Sequence, residues 1–383
     1  MEKAEREAPG AYWSGKARQL EPYVPGEQPR DRKFIKLNTN ENPYPPSPRV
    51  AEAIAKALEE GGESLRLYPD PACTELREAA ARHYGVKPEQ VFAGNGSDEV
   101  LAFAFAAFFD SGPGAAPVLF PDITYSFYPV YAGLWGLSFR NVPLTEDFAI
   151  DTAAYAAPNG GIILPNPNAP TGRPLPPDAL LSLAESQKNH GRVLIVDEAY
   201  AAFGVESASV HIGEYPNLLT VHTLSKSASL AGLRVGFAIG DEGLIEALCR
   251  IRDSFNSYTL DRLALAGAKA ALEDVSYYRE INRRVAVTRE RVSAALSALN
   301  FTVLPSAANF IFVKFPRLPG AEAFAALREK GILVRRFDRE RIGDFLRVSI
   351  GTDGDMDRFL AACREILAGK MEDGRWMLDE EAR

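Results

Sequence analysis

Cysteine is scarce in this sequence of 383 residues. The three cysteines, Cys73, Cys249 and Cys363, are far apart and odd in number, which argues against a disulfide framework and against a clustered metal site. We therefore expect no bound metal and a reducing, cytoplasmic location. The sequence also lacks an uncharged apolar run of ~18 residues or more and a secretory signal at its charged beginning, so no membrane association is expected.

Basic residues are not in excess either. Lysine and arginine number 43 against 51 aspartate and glutamate residues, which gives a formal net charge of −8. Such a chain has no broad positive field with which to gather nucleic acid, so a bound phosphate group has to be held by local contacts. The hydrophobic fraction of 46% is ordinary for a globular protein that buries a substantial core.

Short apolar runs alternate with helical patterns from about residue 90 onward. We predict strands at 118–120, 137–142, 161–164, 193–197, 218–223 and 234–239, and helices near 98–109, 177–190, 241–253 and 259–299. This alternation is typical of an α/β unit with a mostly parallel central sheet flanked by helices.

The pattern changes after residue 300. The segments FTVLP, NFIFVKF, GILVR and FLRVSI predict short strands, with helices near 320–330 and 354–368, and together they indicate a smaller α+β domain. A helical pattern at 50–60 could complete that domain. We therefore divide the chain into an N-terminal segment (1–60) that joins the small domain, a large domain (61–270) and a C-terminal small domain (271–383).

Lys226 lies in the segment VHTLSKSASLAGLRVG, where a predicted strand enters a turn rich in hydroxyl side chains. A lysine there can form a Schiff base with an aldehyde, while the hydroxyls and Arg234 can hold a phosphate group. The alternative is a solvated surface lysine beside a structural arginine, which is the common case for an isolated lysine.

Two further predicted strands end in polar residues. In VLIVDEAY the strand ends at Asp197, with Tyr200 three residues later, and in ILPNPNAPTG a strand precedes Asn168. Ligands bind at the carboxyl ends of parallel strands, so Asp197 could pair with a pyridine nitrogen, and Asn168 and Tyr200 could donate to a phenolate oxygen. The alternatives are a helix cap at Asp197 and an ordinary turn at Asn168.

A glycine-rich turn enters a helix in GNGSDE. Backbone amides at a helix start bind anions, so Gly96, Ser97 and Asp98 are candidates for a phosphate site, with a simple capped helix as the alternative. Tyr125, in an aromatic cluster, could stack on a planar ring, although core packing explains most such clusters.

Taken in order, GNGSDE, Tyr125, NPNAPTG, DEAY and TLSKxxxLAGLRVG resemble the fold-type-I aminotransferases, and among them the histidinol-phosphate aminotransferase family. The segments LEPYVPGEQP, KLNTNENPYPPSP, PSAANFIFVKF and LRVSIGT extend the resemblance over nearly the whole chain. It implies a large domain with a mostly parallel sheet, a smaller α+β domain and the cofactor pyridoxal 5′-phosphate.

The resemblance also implies roles for individual residues. Lys226 is then the Schiff-base lysine and proton carrier, Asp197 contacts the pyridine nitrogen, Tyr125 stacks on the ring, and Asn168 with Tyr200 contacts O3′. The implied phosphate ligands are Ser97, Asp98, Thr223, Ser225, Arg234 and, from a second subunit, Tyr68. The implied substrate-binding residues are Arg335, Arg347, Asn42 and Tyr44, with Arg347 facing the carboxylate.

One position departs from the family pattern, because Ala169 stands directly before PTG where many of these enzymes have asparagine. The O3′ amide then comes from Asn168, with Asn166 as the alternative. The implied reaction is transamination between L-histidinol phosphate and 2-oxoglutarate in a homodimer with shared active sites. An aromatic-amino-acid aminotransferase, a threonine-phosphate decarboxylase and a non-catalytic regulator remain as alternatives.

Overall fold

A computed structural model describes residues 12–29, 31–58, 60–372 and 375–377. Its α-helices are α1 (Gly15–Gln19), α2 (Pro48–Ala57), α3 (Thr74–Tyr84), α4 (Gly96–Phe108), α5 (Tyr128–Trp135), α6 (Pro177–Asn189), α7 (Glu242–Phe255), α8 (Arg262–Glu273), α9 (Val275–Ala298), α10 (Gly320–Glu329) and α11 (Asp353–Ala368). Short 3-10 segments lie at Glu60–Arg66, Pro88–Gln90, Thr152–Ala156, Ala201–Phe203 and Ala208–His211.

The strands are mostly short. They are β1 (Ile35–Lys36), β2 (Val91–Gly94), β3 (Val118–Pro121), β4 (Phe139–Val142), β5 (Gly161–Pro165), β6 (Leu194–Asp197), β7 (Leu218–Thr223), β8 (Gly236–Ile239), β9 (Thr302–Val303), β10 (Phe310–Lys314), β11 (Ile332–Leu333), β12 (Arg335–Arg336), β13 (Phe345–Ser349), β14 (Lys370–Glu372) and β15 (Arg375–Met377).

Seven strands form the central sheet of the large unit, in the order β2-β8-β7-β6-β5-β3-β4. Only β8 in this sheet runs antiparallel to its neighbours. Strands β5, β6 and β7 are buried along their whole length, which explains why most of their residues are apolar. The predicted α/β class with a mostly parallel sheet is confirmed, although β2 was not predicted and several strands begin one or two residues later than expected.

The smaller unit contains a four-stranded antiparallel sheet in the order β12-β13-β10-β9. Its core includes Val292 of α9, Leu327 of α10 and Phe359 of α11, and all three side chains are fully buried. Strand β1 pairs with β11 in a separate two-stranded parallel sheet beside this core. The C-terminal α+β character is therefore as predicted.

The N-terminal segment divides between the two units. Strand β1 pairs with the small unit, whereas α2 packs against α8 and buries Val50 in the core of the large unit. The sequence pattern at 50–60 instead predicts a helix that could complete the small domain. The difference arises because the apolar face of α2 meets α8, a partner that the sequence of α2 does not specify.

The predicted helical stretch 259–299 is two helices rather than one. Asp261 caps α8 by accepting hydrogen bonds from the amides of Leu263 and Ala264. The helical conformation is interrupted at Asp274, between α8 and α9, and the Asp274 carboxylate accepts a hydrogen bond from the Ser47 hydroxyl. The long α9 then contributes Ile281 to the large core and Val292 to the small one, so this helix connects the two units. Among the described helices, none combines the length and the apolarity needed to cross a membrane.

Candidate active site

A cavity lies at the carboxyl ends of β5, β6 and β7, between the large and small units. Because these strands are parallel, their ends meet at one edge of the sheet, where ligands of α/β proteins bind. The cavity brings together most of the predicted site residues, namely Ser97, Asp98, Tyr125, Asp197, Tyr200, Thr223, Ser225, Lys226, Arg234, Arg335 and Arg347.

Lys226 reaches this cavity from the turn that follows β7. Its amine donates a hydrogen bond to the carbonyl of Thr39 at 3.0 Å. Burial, and next the cationic Arg347, lower the pKa of Lys226 to about 8. A larger fraction of this amine is therefore neutral, and nucleophilic, near neutral pH than for a surface lysine. The alternative of a solvated surface lysine is wrong.

Asp197 ends β6 with its side chain buried, and only 5% of the residue is exposed. One carboxylate oxygen accepts a hydrogen bond from the amide of Ala199 at 3.1 Å, and the other accepts one from the hydroxyl of Tyr128 at 3.0 Å. Burial raises the pKa of Asp197 to about 6, while both hydrogen bonds oppose that shift. Tyr128 is a site residue that the sequence analysis missed, because its contact with Asp197 spans 69 positions.

The start of α4 forms an anion cradle together with β8 and the turn after β7. Asn95 does not cap this helix with its side chain, and Arg234 donates a hydrogen bond to the Ser225 hydroxyl at 3.3 Å. A Cβ atom on Gly96 would lie 2.7 Å from the Arg234 guanidinium, and one on Gly236 would lie 2.4 Å from the Ser97 amide nitrogen. Both glycines are therefore needed for the helix start to approach Arg234 this closely.

The carboxylate of Asp98 is held by two neighbours. Arg234 donates to one of its oxygens at 2.9 Å, and the hydroxyl of Tyr125 donates to the other at 2.8 Å. These contacts offset its negative charge, which on its own would oppose an anion at the helix start. They also fix Tyr125 at the cavity wall.

The amides of the NPNAPTG loop do not line the cavity. The Asn168 side-chain nitrogen donates to the carbonyl of Ile123 and to the hydroxyl of Thr171, each at 3.0 Å. The Asn166 side-chain oxygen accepts from the amide of Leu175 at 2.9 Å. Pro165 and Ala169 face the cavity instead. The expected O3′ contact from Asn168, or from Asn166, is therefore corrected, because these asparagines are used to hold the loop.

The N-terminal segment contributes cavity residues that the sequence analysis missed. Asn40, which is buried and has a positive φ of 60°, donates its side-chain amide to the Tyr200 hydroxyl at 3.0 Å. Other cavity residues from this segment are Tyr23, Pro25, Gly26, Gln28, Asn38 and Thr39. The asparagines of LNTNENP were the only signal in the sequence, since asparagine tolerates a left-handed backbone.

Asn42 and Tyr44 lie outside the cavity, contrary to their expected role in substrate binding. The Asn42 side chain donates to the backbone carbonyl of Lys226 at 3.2 Å and so supports the lysine turn from behind. The ring of Tyr44 lies 4.1 Å from the guanidinium of Arg284. Their roles are corrected to support and packing.

The two predicted substrate arginines differ in their contacts. Arg335 donates to the carbonyls of Val24 at 3.1 Å and Pro25 at 3.3 Å, and so holds the N-terminal segment against the cavity. Arg347 donates to the carbonyl of Asn38 at 3.0 Å, while its Nε is buried without a hydrogen-bond partner among the described residues. A buried donor without a partner is costly, so Arg347 is the better candidate for an anionic ligand.

Tyr68 lies away from the cavity of its own chain and is 78% exposed. Its ring stacks on Tyr258 with centroids 4.5 Å apart, and its carbonyl accepts a hydrogen bond from Arg262.

In the described ranges, no cluster of three or more histidine, cysteine, aspartate or glutamate residues could hold a metal ion.

The central sheet, the smaller α+β unit and a lysine at the carboxyl edge of the sheet define a fold-type-I transferase. The family model "Aminotransferase class I and II" matches residues 32–363. The chain therefore belongs to this aminotransferase family, which confirms the predicted fold and enzyme class.

Two named relatives and one crystal structure are similar to this chain over nearly its whole length. The chain is 55% identical over 359 residues to "Histidinol-phosphate aminotransferase 1" of Methylococcus capsulatus, which covers 94% of this chain and 98% of the relative. It is 53% identical over 361 residues to "Histidinol-phosphate aminotransferase 2" of Burkholderia lata, covering 93% and 99%. The crystal structure of histidinol-phosphate aminotransferase from Sinorhizobium meliloti, in complex with pyridoxal-5′-phosphate, matches with a TM-score of 0.82 at 26% identity, covering 92% and 98%.

Proposed function

We propose that the protein catalyses transamination between L-histidinol phosphate and 2-oxoglutarate with pyridoxal 5′-phosphate as cofactor. The observation that carries this proposal is the meeting, in one cavity, of a buried lysine, a buried aspartate and an uncapped helix start beside Arg234. The relatives that share more than half of their residues with this chain support the choice of substrates.

The described residues fit the cofactor. The first turn of α4, with Thr223, Ser225 and Arg234, would hold its phosphate, and the absence of a side chain at Gly96 lets the Arg234 guanidinium lie directly against this helix start. Tyr125 would stack on the ring, Tyr200 would donate to O3′, and Asp197 would face the ring nitrogen. When bound, the cofactor supplies an electron-withdrawing ring that makes the proton on the substrate's Cα removable.

Lys226 would hold the aldehyde carbon of the cofactor and, once displaced by an amino donor, take the proton from Cα. An amine with a lowered pKa suits this task, because it is deprotonated in a useful fraction near neutral pH. The neighbouring Arg347 would bind the substrate and would take no part in the proton transfer. Histidinol phosphate carries a phosphate group, and 2-oxoglutarate carries two carboxylates. The Arg347 guanidinium can therefore donate hydrogen bonds to an anionic group of either substrate.

A panel of amino donors with 2-oxoglutarate tests the proposed substrate. We expect kcat/KM for histidinol phosphate to exceed that for phenylalanine, and to see no release of carbon dioxide from threonine phosphate. Preference for phenylalanine would favour an aromatic-amino-acid aminotransferase, and decarboxylation would favour the phosphate decarboxylase. A protein that turns over none of these compounds would contradict the proposal.

Arg347→Gln should lower kcat/KM for both substrates. Removing one partner of a buried charge pair costs about 2 kcal/mol or more, which corresponds to roughly a 30-fold loss. Steady-state kinetics with each substrate in turn measure this effect. Arg364→Gln, at an exposed position on α11, is the control and should leave kcat/KM unchanged. An equal loss in both variants would remove the special role of Arg347.

The enzyme is proposed to be a homodimer in which Tyr68 completes the active site of the partner subunit. Large apolar side chains are exposed on two segments that meet where Tyr68 stacks on Tyr258, and among them Leu67 is 55% and Phe255 is 71% exposed. Exposed apolar groups of this kind mark protein interfaces. The hydroxyl of Tyr68 would then reach the partner's phosphate site.

Mixing two inactive variants tests the shared site. Tyr68→Glu and Lys226→Ala should recover about a quarter of wild-type activity after subunit exchange, because half of the dimers are mixed and each contains one complete site. A mixture of Lys226→Ala and Asp197→Asn is the control, since each of its sites still lacks one residue. A monomer by light scattering, or no recovery after demonstrated exchange, would contradict the dimer.

We propose that the enzyme works in the cytoplasm, the reducing compartment that its few cysteines predict. Cys73, Cys249 and Cys363 are free thiols, and burial raises the pKa of Cys73 to about 11. Such thiols are stable as thiols in the cytoplasm. Cell fractionation with a cytoplasmic marker is the direct test.

A further inference from the structure

Tyr128 is a buried phenol in the first turn of α5 that does not line the cavity. The residue is 0% exposed. Its ring centroid lies 5.8 Å from that of Phe120 and 6.2 Å from that of Phe105, so apolar side chains fix its position. Its hydroxyl, the one polar group of this side chain, donates to Asp197 at 3.0 Å.

The Asp197 carboxylate has few favourable neighbours within the described part of the chain. Its only hydrogen-bond donors there are the Ala199 amide and the Tyr128 hydroxyl, and neither carries a positive charge. The adjacent carboxylate of Asp98 favours protonation of Asp197 by repulsion. The other titratable groups whose charges interact with it are Tyr131, Glu198 and Tyr200, and Lys226 and Arg234 line the same cavity.

One turn of the chain supplies a phenol to each of the two cavity carboxylates. Tyr125 donates to Asp98 at 2.8 Å, and Tyr128 donates to Asp197 at 3.0 Å. The Tyr128 amide donates to the Tyr125 carbonyl at 3.2 Å, and the two rings meet edge to face with centroids 5.7 Å apart. The turn therefore places both hydroxyls in fixed positions, each against a negative charge.

We propose that Tyr128 is a positioning residue that keeps the Asp197 carboxylate ionised and fixes its orientation toward the cavity. A phenol hydroxyl donates more strongly to a carboxylate than to a neutral carboxyl group, so its contact stabilises the charged form. The inference rests on the proposed function, in which the charge of Asp197 faces the cofactor's ring nitrogen. Because Tyr128 lies outside the cavity, its effect on the reaction passes through Asp197.

Titration of Asp197 in the Tyr128→Phe variant tests the proposal. The measurement uses full-length protein freed of cofactor and labelled with ¹³C at the aspartate side-chain carboxyls, and Asp197→Asn identifies the resonance. We expect the midpoint of Asp197 to rise by about one pH unit, a tenfold change in proton affinity. The dissociation constant for pyridoxal phosphate should rise at neutral pH in the same variant.

Tyr155→Phe is the matched control. Tyr155 is 1% exposed, and its hydroxyl has no hydrogen-bond partner among the described residues, so this change also removes a buried phenol oxygen. It should leave the Asp197 midpoint unchanged. An unchanged midpoint in Tyr128→Phe, or an equal rise in Tyr155→Phe, would overturn the proposal.

A second variant covers the case in which Tyr128→Phe fails to fold. Site-specific 3-fluorotyrosine at position 128 makes the phenol a stronger donor with little change in size, and it should move the Asp197 midpoint downward. A shift in the opposite direction, or none, would count against the proposal. Because neither titration involves a substrate, a failure of the proposed histidinol phosphate activity would leave this result intact.

Discussion

Lys226→Ala should abolish transamination, with turnover reduced by about 10⁴-fold or more. In the proposed function this amine would hold the aldehyde carbon and take the Cα proton, so the change removes both. The amine is buried and lines the cavity, with a pKa lowered to about 8. Steady-state turnover of the purified variant, with saturating substrates and cofactor, measures the loss.

The fold of this variant should persist. Among the described residues, the Lys226 amine makes one hydrogen bond, to the Thr39 carbonyl, so we expect the free energy of unfolding to change by no more than about 1.5 kcal/mol. Circular dichroism and urea unfolding check this. Lys269→Ala is the control, because Lys269 on α8 pairs with Glu75 on α3, lies outside the cavity and should be dispensable for turnover. Near-normal turnover in Lys226→Ala would contradict the proposed catalytic role of Lys226.

Much of the site could be predicted because the sequence records where parallel strands end. The apolar run of β6 stops at Asp197, and β7 ends at Thr223, just before the turn that contains Lys226. Parallel strands bring those ends together without any further information. The start of α4 was equally visible, since a glycine-rich turn before a helix marks an anion site.

The remaining contacts depend on packing between distant segments. Asn168 turns its amide to the Ile123 carbonyl, 45 positions away, and so leaves Ala169 at the cavity wall. The Tyr128 hydroxyl reaches Asp197 only because α5 packs against the sheet. Side-chain direction in a loop, or the helix partner of a buried phenol, is set by tertiary structure, so one sequence without its fold could not give these contacts.

The boundary of the small unit was hard to predict for a similar reason. An amphipathic helix specifies that one face will be buried but not which partner will bury it. The α2 sequence therefore allowed either unit, and the contact with α8 decided the outcome. Arg335 is a comparable case, because an arginine near a site can bind substrate or backbone, and here it holds the carbonyls of Val24 and Pro25.

Asp197→Asn should retain the cofactor but lose turnover by about 10²- to 10³-fold, as expected when one preorganised electrostatic group is removed from an active site. An amide has nearly the same size as the carboxylate and can still accept from the Ala199 amide, so the backbone at the end of β6 stays in place. What is lost is the negative charge that would keep a proton on the ring nitrogen. The cofactor dissociation constant and kcat, measured separately, distinguish these effects.

Glu198→Gln is the matched control, because Glu198 is the next residue of the same strand end, is equally buried and points away from the cavity. Its carboxylate accepts hydrogen bonds from the Ser207 hydroxyl and, at 2.7 Å, from the Ala208 amide, and it lies 3.6 Å from the ring of His222. Glutamine keeps an acceptor for the Ala208 amide and can donate to the Ser207 hydroxyl while it removes a buried ionisable carboxyl group, so kcat should stay within about threefold of wild type. If both variants lose turnover equally, the cause is the loss of any buried charge at the end of β6. If only Asp197→Asn loses turnover, the cause is the loss of the one carboxylate that faces the cavity, because the two substitutions differ in little except the direction of the side chain.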